Sequence, residues 1–146
     1  MVDRFVSDPI ELPPPTRPFE RADLIFYGLD HSGASFEAQV FLDARGVGAG
    51  ADEGHRAYVG SFFIFGHGGC FGDVGHCDIP ASRDPFDLRP PHQLEPAVRV
   101  LTVTEAIKGS LERELDALKV TVVAHALGKG ADDVLAFETV RLATYA

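Results

Sequence analysis

The sequence is poor in basic residues and has no long apolar run. Lys and Arg number 13 against 22 Asp and Glu, which gives the 146-residue chain a formal net charge of -9 at pH 7. No segment concentrates Lys or Arg into a patch that would track phosphates, so we expect neither nucleic acid nor an anionic membrane surface as a partner. No run approaches the roughly 18 apolar residues that span a bilayer.

The N-terminal segment lacks the apolar core of a signal peptide and carries a run of three prolines at 13–15. We therefore expect an unexported, cytoplasmic protein. Because proline has no backbone N–H to donate to a neighbouring strand, this N-terminal segment cannot join the middle of a sheet. The sequence predicts a Pro-rich strap or tail over 1–20 and a single domain over 21–146, long enough to bury roughly 70% of its unfolded surface.

Tryptophan is absent, whereas Phe numbers 11, Gly 15 and Pro 10. This composition is typical of a turn-rich, aromatic-packed β protein. One helical pattern occurs, at 105–115, with Thr104 as its candidate N-cap. Because strands and helices do not alternate, the pattern predicts an all-β antiparallel sandwich of about six or seven strands with one short helix. The predicted strands are 22–29, 35–43, 57–66, 97–103, 118–126 and 134–145.

Two of these strands carry specific expectations. Apolar residues alternate along 35–43, which predicts a half-buried strand with Phe41 on its outer face. The most hydrophobic segment, 57–66, is predicted to be a central strand. Between them, the Gly-rich stretch 44–56 reads as a mobile surface loop. The irregular stretch 66–96 is longer than a compact domain usually tolerates unless it is functional or stapled.

The strongest chemical signal lies in that irregular stretch, where two imidazoles and two thiols fall within eleven residues: His67, Cys70, His76 and Cys77. Intervening glycines allow the backbone to bring them together. Thiolates and imidazoles suit Cu(I) or Zn(II), so the cluster predicts a metal site, with copper as the first choice and zinc as the alternative. The spacing matches no standard four-ligand zinc motif.

A second interpretation of the same cluster is structural. Cys70 and Cys77 could form a disulfide that staples the irregular stretch, or remain neighbouring free thiols. A cytosolic setting argues against a persistent disulfide. Both interpretations stay open at the level of sequence.

The remaining histidines give weaker signals. His31 and His55 are interpreted as solvated turn residues, and His125 as an imidazole at a strand end. His92 lies among prolines and is interpreted as a loop anchor; the alternative interpretation is a metal ligand held by rigid backbone. No nucleophile elbow and no phosphate-binding glycine loop is present, so neither a hydrolase nor a nucleotide-binding protein is predicted.

The order of segments resembles the β-sandwich domain that follows the copper domain in type 3 copper proteins, which are the tyrosinases, polyphenol oxidases and molluscan haemocyanins. The resemblance covers roughly 22–145 and consists of packing motifs. They are SFEAQVFL at 35–42, YVGSFFIFG at 58–66, LTVTEAI at 101–107, VTVV at 120–123 and FETVRL at 137–142.

The resemblance implies an accessory role. In that family a separate helical domain holds the copper atoms, and the sandwich covers their site or assists assembly. Six histidines scattered over strands and loops cannot reproduce two three-His helical sites. We therefore expect a non-catalytic module that associates with a tyrosinase-like copper oxidase and shields its site or passes Cu(I) to it.

Two alternatives come from other classes of protein. The chain could be a small Cu or Zn metalloenzyme that uses the same four ligands and His92, with one position open for substrate. It could instead be a structural module that forms homo-oligomers through an aromatic sheet face with Phe41 and Phe63 exposed.

Overall fold

The computed structural model describes residues 3–43, 50–68, 85–86, 95–128 and 133–146. All strand pairs within this part are antiparallel. The predicted all-β, sandwich-like fold with one short helix is confirmed. The elements are β1 (Asp3–Val6), β2 (Ile10–Glu11), β3 (Arg21–Leu29), β4 (Phe36–Leu42), β5 (Tyr58–Ile64), β6 (Ala97–Thr102), α1 (Thr104–Glu112), β7 (Ala117–Leu118), β8 (Val120–Ala126) and β9 (Thr139–Tyr145).

Two sheets enclose the core. The first has the strand order β1-β8-β4-β5, and the second has the order β6-β3-β9, while β2 and β7 form a separate two-residue pair. Alternate side chains of the central strands β3 and β4 point inward and are buried. The ring centroid of Phe26 on β3 lies 4.9 Å from that of Phe62 on β5, so the inner faces of the two sheets are in direct contact.

Helix α1 covers one end of the core with Ile107, which is fully buried. The prediction of Thr104 as N-cap is wrong, because Val103 is the cap residue and no side chain bonds the first turn. The Thr104 hydroxyl instead accepts the backbone N–H of Ala22 at 3.0 Å, and the Val103 N–H donates to the Ala22 carbonyl at 2.8 Å. The start of the helix is thus fixed to β3.

Strand β4 is buried on both faces, so the half-buried prediction is wrong. Phe41 is 0% exposed on the face expected to meet solvent. It packs against Ala51 in the Gly-rich stretch, Ala57 just before β5 and Tyr58, the first residue of β5. The described end of the Gly-rich stretch therefore covers the outer face of β4, and Phe41 cannot serve as an exposed oligomerisation residue.

Among the described residues, β5 pairs with β4 alone and is an edge strand, whereas the sequence predicts a central one. Its hydrophobicity has two origins. Phe62 and Ile64 face the core, whereas Phe63 is 51% exposed and Phe65, just beyond the strand, is 82% exposed. A continuous apolar run does not distinguish these two cases.

The N-terminal segment pairs with the body of the fold at a sheet edge. Strand β1 pairs with β8, and the prolines at 9 and 13–15 lie outside the strands. Ser7 follows β1 and is buried, with its hydroxyl accepting the Val120 N–H at 2.8 Å and donating to the Asp8 carbonyl at 2.8 Å. Among the described residues, no helix is long and apolar enough to cross a membrane.

Candidate functional site

Two histidines from different connections meet at one end of the sandwich. His31 lies between β3 and β4, and His67 lies just beyond β5. Their ring centroids are 5.0 Å apart. Two backbone hydrogen bonds hold the connections side by side, from the His67 N–H to the His31 carbonyl at 2.9 Å and from the Gly68 N–H to the Gly33 carbonyl at 2.8 Å. The pair is therefore fixed by the main chain.

Gly66 makes this close approach possible. A Cβ at this position would come within 2.1 Å of the Gly33 carbonyl oxygen and 2.4 Å of the Ala34 carbonyl carbon, both of them backbone atoms. The Gly66 N–H donates to the Ser35 hydroxyl at 3.0 Å. Any side chain at 66 would push the two connections apart and separate the imidazoles.

Each ring has one nitrogen fixed as a donor. His31 Nε2 lies 2.6 Å from the Glu95 carbonyl oxygen, and His67 Nδ1 lies 3.2 Å from the His31 carbonyl oxygen. A carbonyl oxygen only accepts, so both of these nitrogens carry a hydrogen. In the neutral imidazoles, His31 Nδ1 and His67 Nε2 then keep a free lone pair. Histidines that bind metals typically use a carbonyl in this way to fix the tautomer.

The carboxylate of Asp30 adjoins His31, the next residue in the chain. Asp30 Oδ1 accepts the Ser32 N–H at 2.8 Å. Hydrogen bonds from Ser32 lower the pKa of Asp30, and a positive charge on His31 would lower it further, while partial burial opposes the shift. Asp30 is thus ionised near neutral pH and favours positive charge at this end of the molecule.

The sequence located half of this pair. His67 was predicted as a ligand, while Cys70, His76 and Cys77 lie outside the described residues, as does His92. His31 was interpreted as a solvated turn residue; it is half-buried, its hydrogen bond to the Glu95 carbonyl is exposed, and its ring packs against His67. The two histidines are 36 positions apart, so only their common place at the sandwich end joins them.

His55 and His125 lie elsewhere and have local partners. The His55 ring meets Phe41 edge-on at 5.7 Å, and its Nδ1 accepts the Ala57 N–H at 3.1 Å. His55 is thus a half-buried residue at a bend. His125, near the end of β8, has its Nε2 3.3 Å from Gln39 Oε1.

Other places in the described part offer no competing metal centre. No group of three or more His, Cys, Asp or Glu side chains there is arranged to hold an ion. A cavity of about 570 Å³ opens between α1 and the first sheet, lined in part by Arg56, Val59, Gly109 and Arg113, but neither His nor Cys lines it. The imidazole pair is thus the clearest chemical feature in the part of the chain that the structure describes.

Comparison with known proteins gives no match to a family model, a curated protein or a solved structure.

Proposed function

We propose that the protein is a non-catalytic β-sandwich module that holds a copper ion, as Cu(I), with His31 and His67 and associates with a tyrosinase-like copper oxidase. The observation that carries this proposal is the pair of imidazoles at 5.0 Å with one donor nitrogen fixed on each ring. The two remaining nitrogens belong to separate connections at the same end of the fold.

The chemistry of the pair suits a borderline or soft ion. Neutral imidazole binds Cu and Zn, and thiolates favour Cu(I) and Zn. The rings are oriented by carbonyl acceptors before any ion arrives, so little rotamer freedom is lost on binding. Bound copper would supply a redox-active cation that a partner enzyme can accept, while this chain contributes the orientation of its ligands.

The cysteine-containing segment begins next to His67 in the sequence. Cys70 follows His67 by three positions, and His76 and Cys77 follow within the next seven. In this proposal their side chains complete the ligand set, because two imidazoles alone leave the coordination of most ions unfilled. If Cys70 and Cys77 instead form a disulfide, the imidazole pair remains and the thiolate contribution is lost.

The association with an oxidase rests on the resemblance of the strand motifs to the sandwich domain of type 3 copper proteins. A type 3 centre needs two groups of three histidines, and the described residues bring only two histidines together. A module that carries copper without such a centre is suited to supplying or covering one in another protein.

The test combines this protein, loaded with Cu(I), with a copper-depleted tyrosinase-like oxidase. We expect the two to co-elute on a sizing column and the oxidase to regain activity. The variant H67A should co-elute but restore less activity, and H55Q, whose histidine lies beside Phe41 at the opposite end of β4, should behave as the wild type.

Three results would overturn the proposal. The first is the absence of both a complex and copper transfer. The second is oxidase activity of the isolated, copper-loaded protein, which would favour a stand-alone copper enzyme. The third is one equivalent of zinc that copper does not displace, which would favour a zinc protein.

A further inference from the structure

The second sheet has an outward face that carries several exposed side chains. Along β3, Ala22, Leu24 and Phe26 point into the core, so the intervening side chains point away from it. The registers with β6 and β9 place their outward residues in the same layer. We define the outer face by six residues: Arg21, Ile25, Tyr27, Val100, Arg141 and Tyr145.

Much of this face is apolar and accessible. Val100 is 52% exposed and Tyr145 is 47% exposed, and Val98, on the same side of β6, is 48% exposed. Ile25 lies directly between Val100 and Arg141 and is half-buried. Val98, Val100 and Ile25 thus place apolar side chains side by side on this face, and an exposed apolar patch of this kind marks interaction sites.

The exposed charge on the face is positive, although the chain as a whole is acidic. Arg141 lies over the Tyr27 ring at 5.8 Å, and Arg21 lies over the Tyr145 ring at 6.0 Å. Within the three described strands of this sheet, the one carboxylate is that of Asp23, which is 2% exposed. Its Oδ1 accepts hydrogen bonds from Arg21 Nε and the Thr102 hydroxyl, both at 2.9 Å.

We infer that this outer face is the surface on which a partner protein docks, and that the partner presents an apolar patch bordered by carboxylates. Tyrosine and arginine are among the residues enriched at protein interfaces, and lysine and carboxylates are depleted there, which agrees with the six residues of this face. The two arginines make this face positive in a chain of net charge -9, so the partner should present negatively charged residues around its apolar patch.

A second copy of this chain is a poorer occupant. Face-to-face pairing of two identical outer faces would bring like guanidinium groups together across the interface, and each copy would carry its own net negative charge into the dimer. The partner on the outer face is therefore a different protein. This inference rests on the proposed function, in which that protein is the copper oxidase.

The test measures the affinity of the oxidase for wild type and for four variants by calorimetry. V100D and R141E should each weaken the complex by about tenfold or more, because each removes a central apolar or charge contact. The controls V6D, on the outer side of β1 in the first sheet, and K108E, on the exposed side of α1, should bind as the wild type does. Unchanged thermal midpoints and circular dichroism show that the variants fold.

The outcomes separate this inference from the proposed function. A wild-type complex that V100D and R141E leave unchanged overturns the inference and leaves the proposed function standing. No complex with the wild type overturns the inference, and it overturns the proposed function as well when copper transfer is also absent. Concentration-dependent dimers in sedimentation that V100D abolishes would assign the face to a second copy and overturn the inference. Complex formation that H67A preserves and V100D weakens supports the inference.

Discussion

Gly60 on β5 lies against the side chain of Leu101 on β6. A Cβ at Gly60 would come within 2.7 Å of Leu101 Cδ1, and Gly60 itself has φ of +144°. The contact sits where the edge of the first sheet meets the edge of the second. In the same seam Arg99 Nε donates to the Phe63 carbonyl at 3.3 Å, so one otherwise open carbonyl of the edge strand is occupied.

We expect G60A to lower the free energy of unfolding by about 1–3 kcal/mol, because an L-residue with this φ is strained and Leu101 must also move. Urea unfolding, followed by circular dichroism, measures the change. An unchanged midpoint would show that the seam relaxes freely and that the fold does not require glycine there.

Gly109 provides the matched control. It lies in the interior of α1, and a Cβ built on it meets no atom within 4 Å. G109A should therefore raise the free energy of unfolding by about 0.5–1 kcal/mol through helix propensity. Destabilisation by G109A in the same urea experiment would contradict this assignment.

Ser7 anchors the N-terminal segment to β8. Because its hydroxyl accepts the N–H of Val120, which is fully buried, S7A leaves that donor without a partner. We expect a loss of about 1–3 kcal/mol in the free energy of unfolding. T16A, in the exposed turn of the same segment, should change it by no more than about 0.5 kcal/mol. Equal effects of the two substitutions would argue against the anchoring role.

Asp23 makes stability depend on pH. The hydrogen bond from Arg21 lowers the pKa of Asp23, burial opposes the shift, and the hydrogen bond from Thr102 adds to it. The folded carboxylate thus binds a proton less readily than the unfolded one. Its contribution to stability is fully present above the ordinary Asp pKa of about 3.9 and is lost as the pH falls through the lower folded value.

D23N removes this contribution. The free energy of unfolding of the wild type should fall as the pH drops below about 4, and that of D23N should fall less over the same interval. Urea midpoints at a series of pH values measure both slopes. Parallel curves would show that Asp23 has the same pKa in the folded and unfolded states.

The sequence predicted the fold class because composition and period-two patterns report local backbone preference. It did not predict which faces are covered. Phe41 is buried in part by a Gly-rich stretch whose composition predicts a loop. The hydrophobicity of β5 predicts a central strand, although it is an edge strand among the described residues. These outcomes depend on contacts between distant parts of the chain, which no local pattern encodes.

The candidate site shows the same division. His67 stands in an unusual local cluster and was found from it, whereas His31 stands in an ordinary turn. Gly66 carries the relevant constraint, since only glycine lets the two connections meet, but a glycine among many others gives no distinct signal. The pairing of the imidazoles therefore emerged only from the three-dimensional structure.

The most direct test of the central claim is a competition titration that measures the Cu(I) affinity of the wild type, H31A, H67A and H55Q. His31 is decisive, because geometry alone assigns it to the site. We expect H31A and H67A each to weaken Cu(I) binding by about tenfold or more, and H55Q to bind as the wild type does. Wild-type affinity in H31A would contradict the claim that the two imidazoles act together.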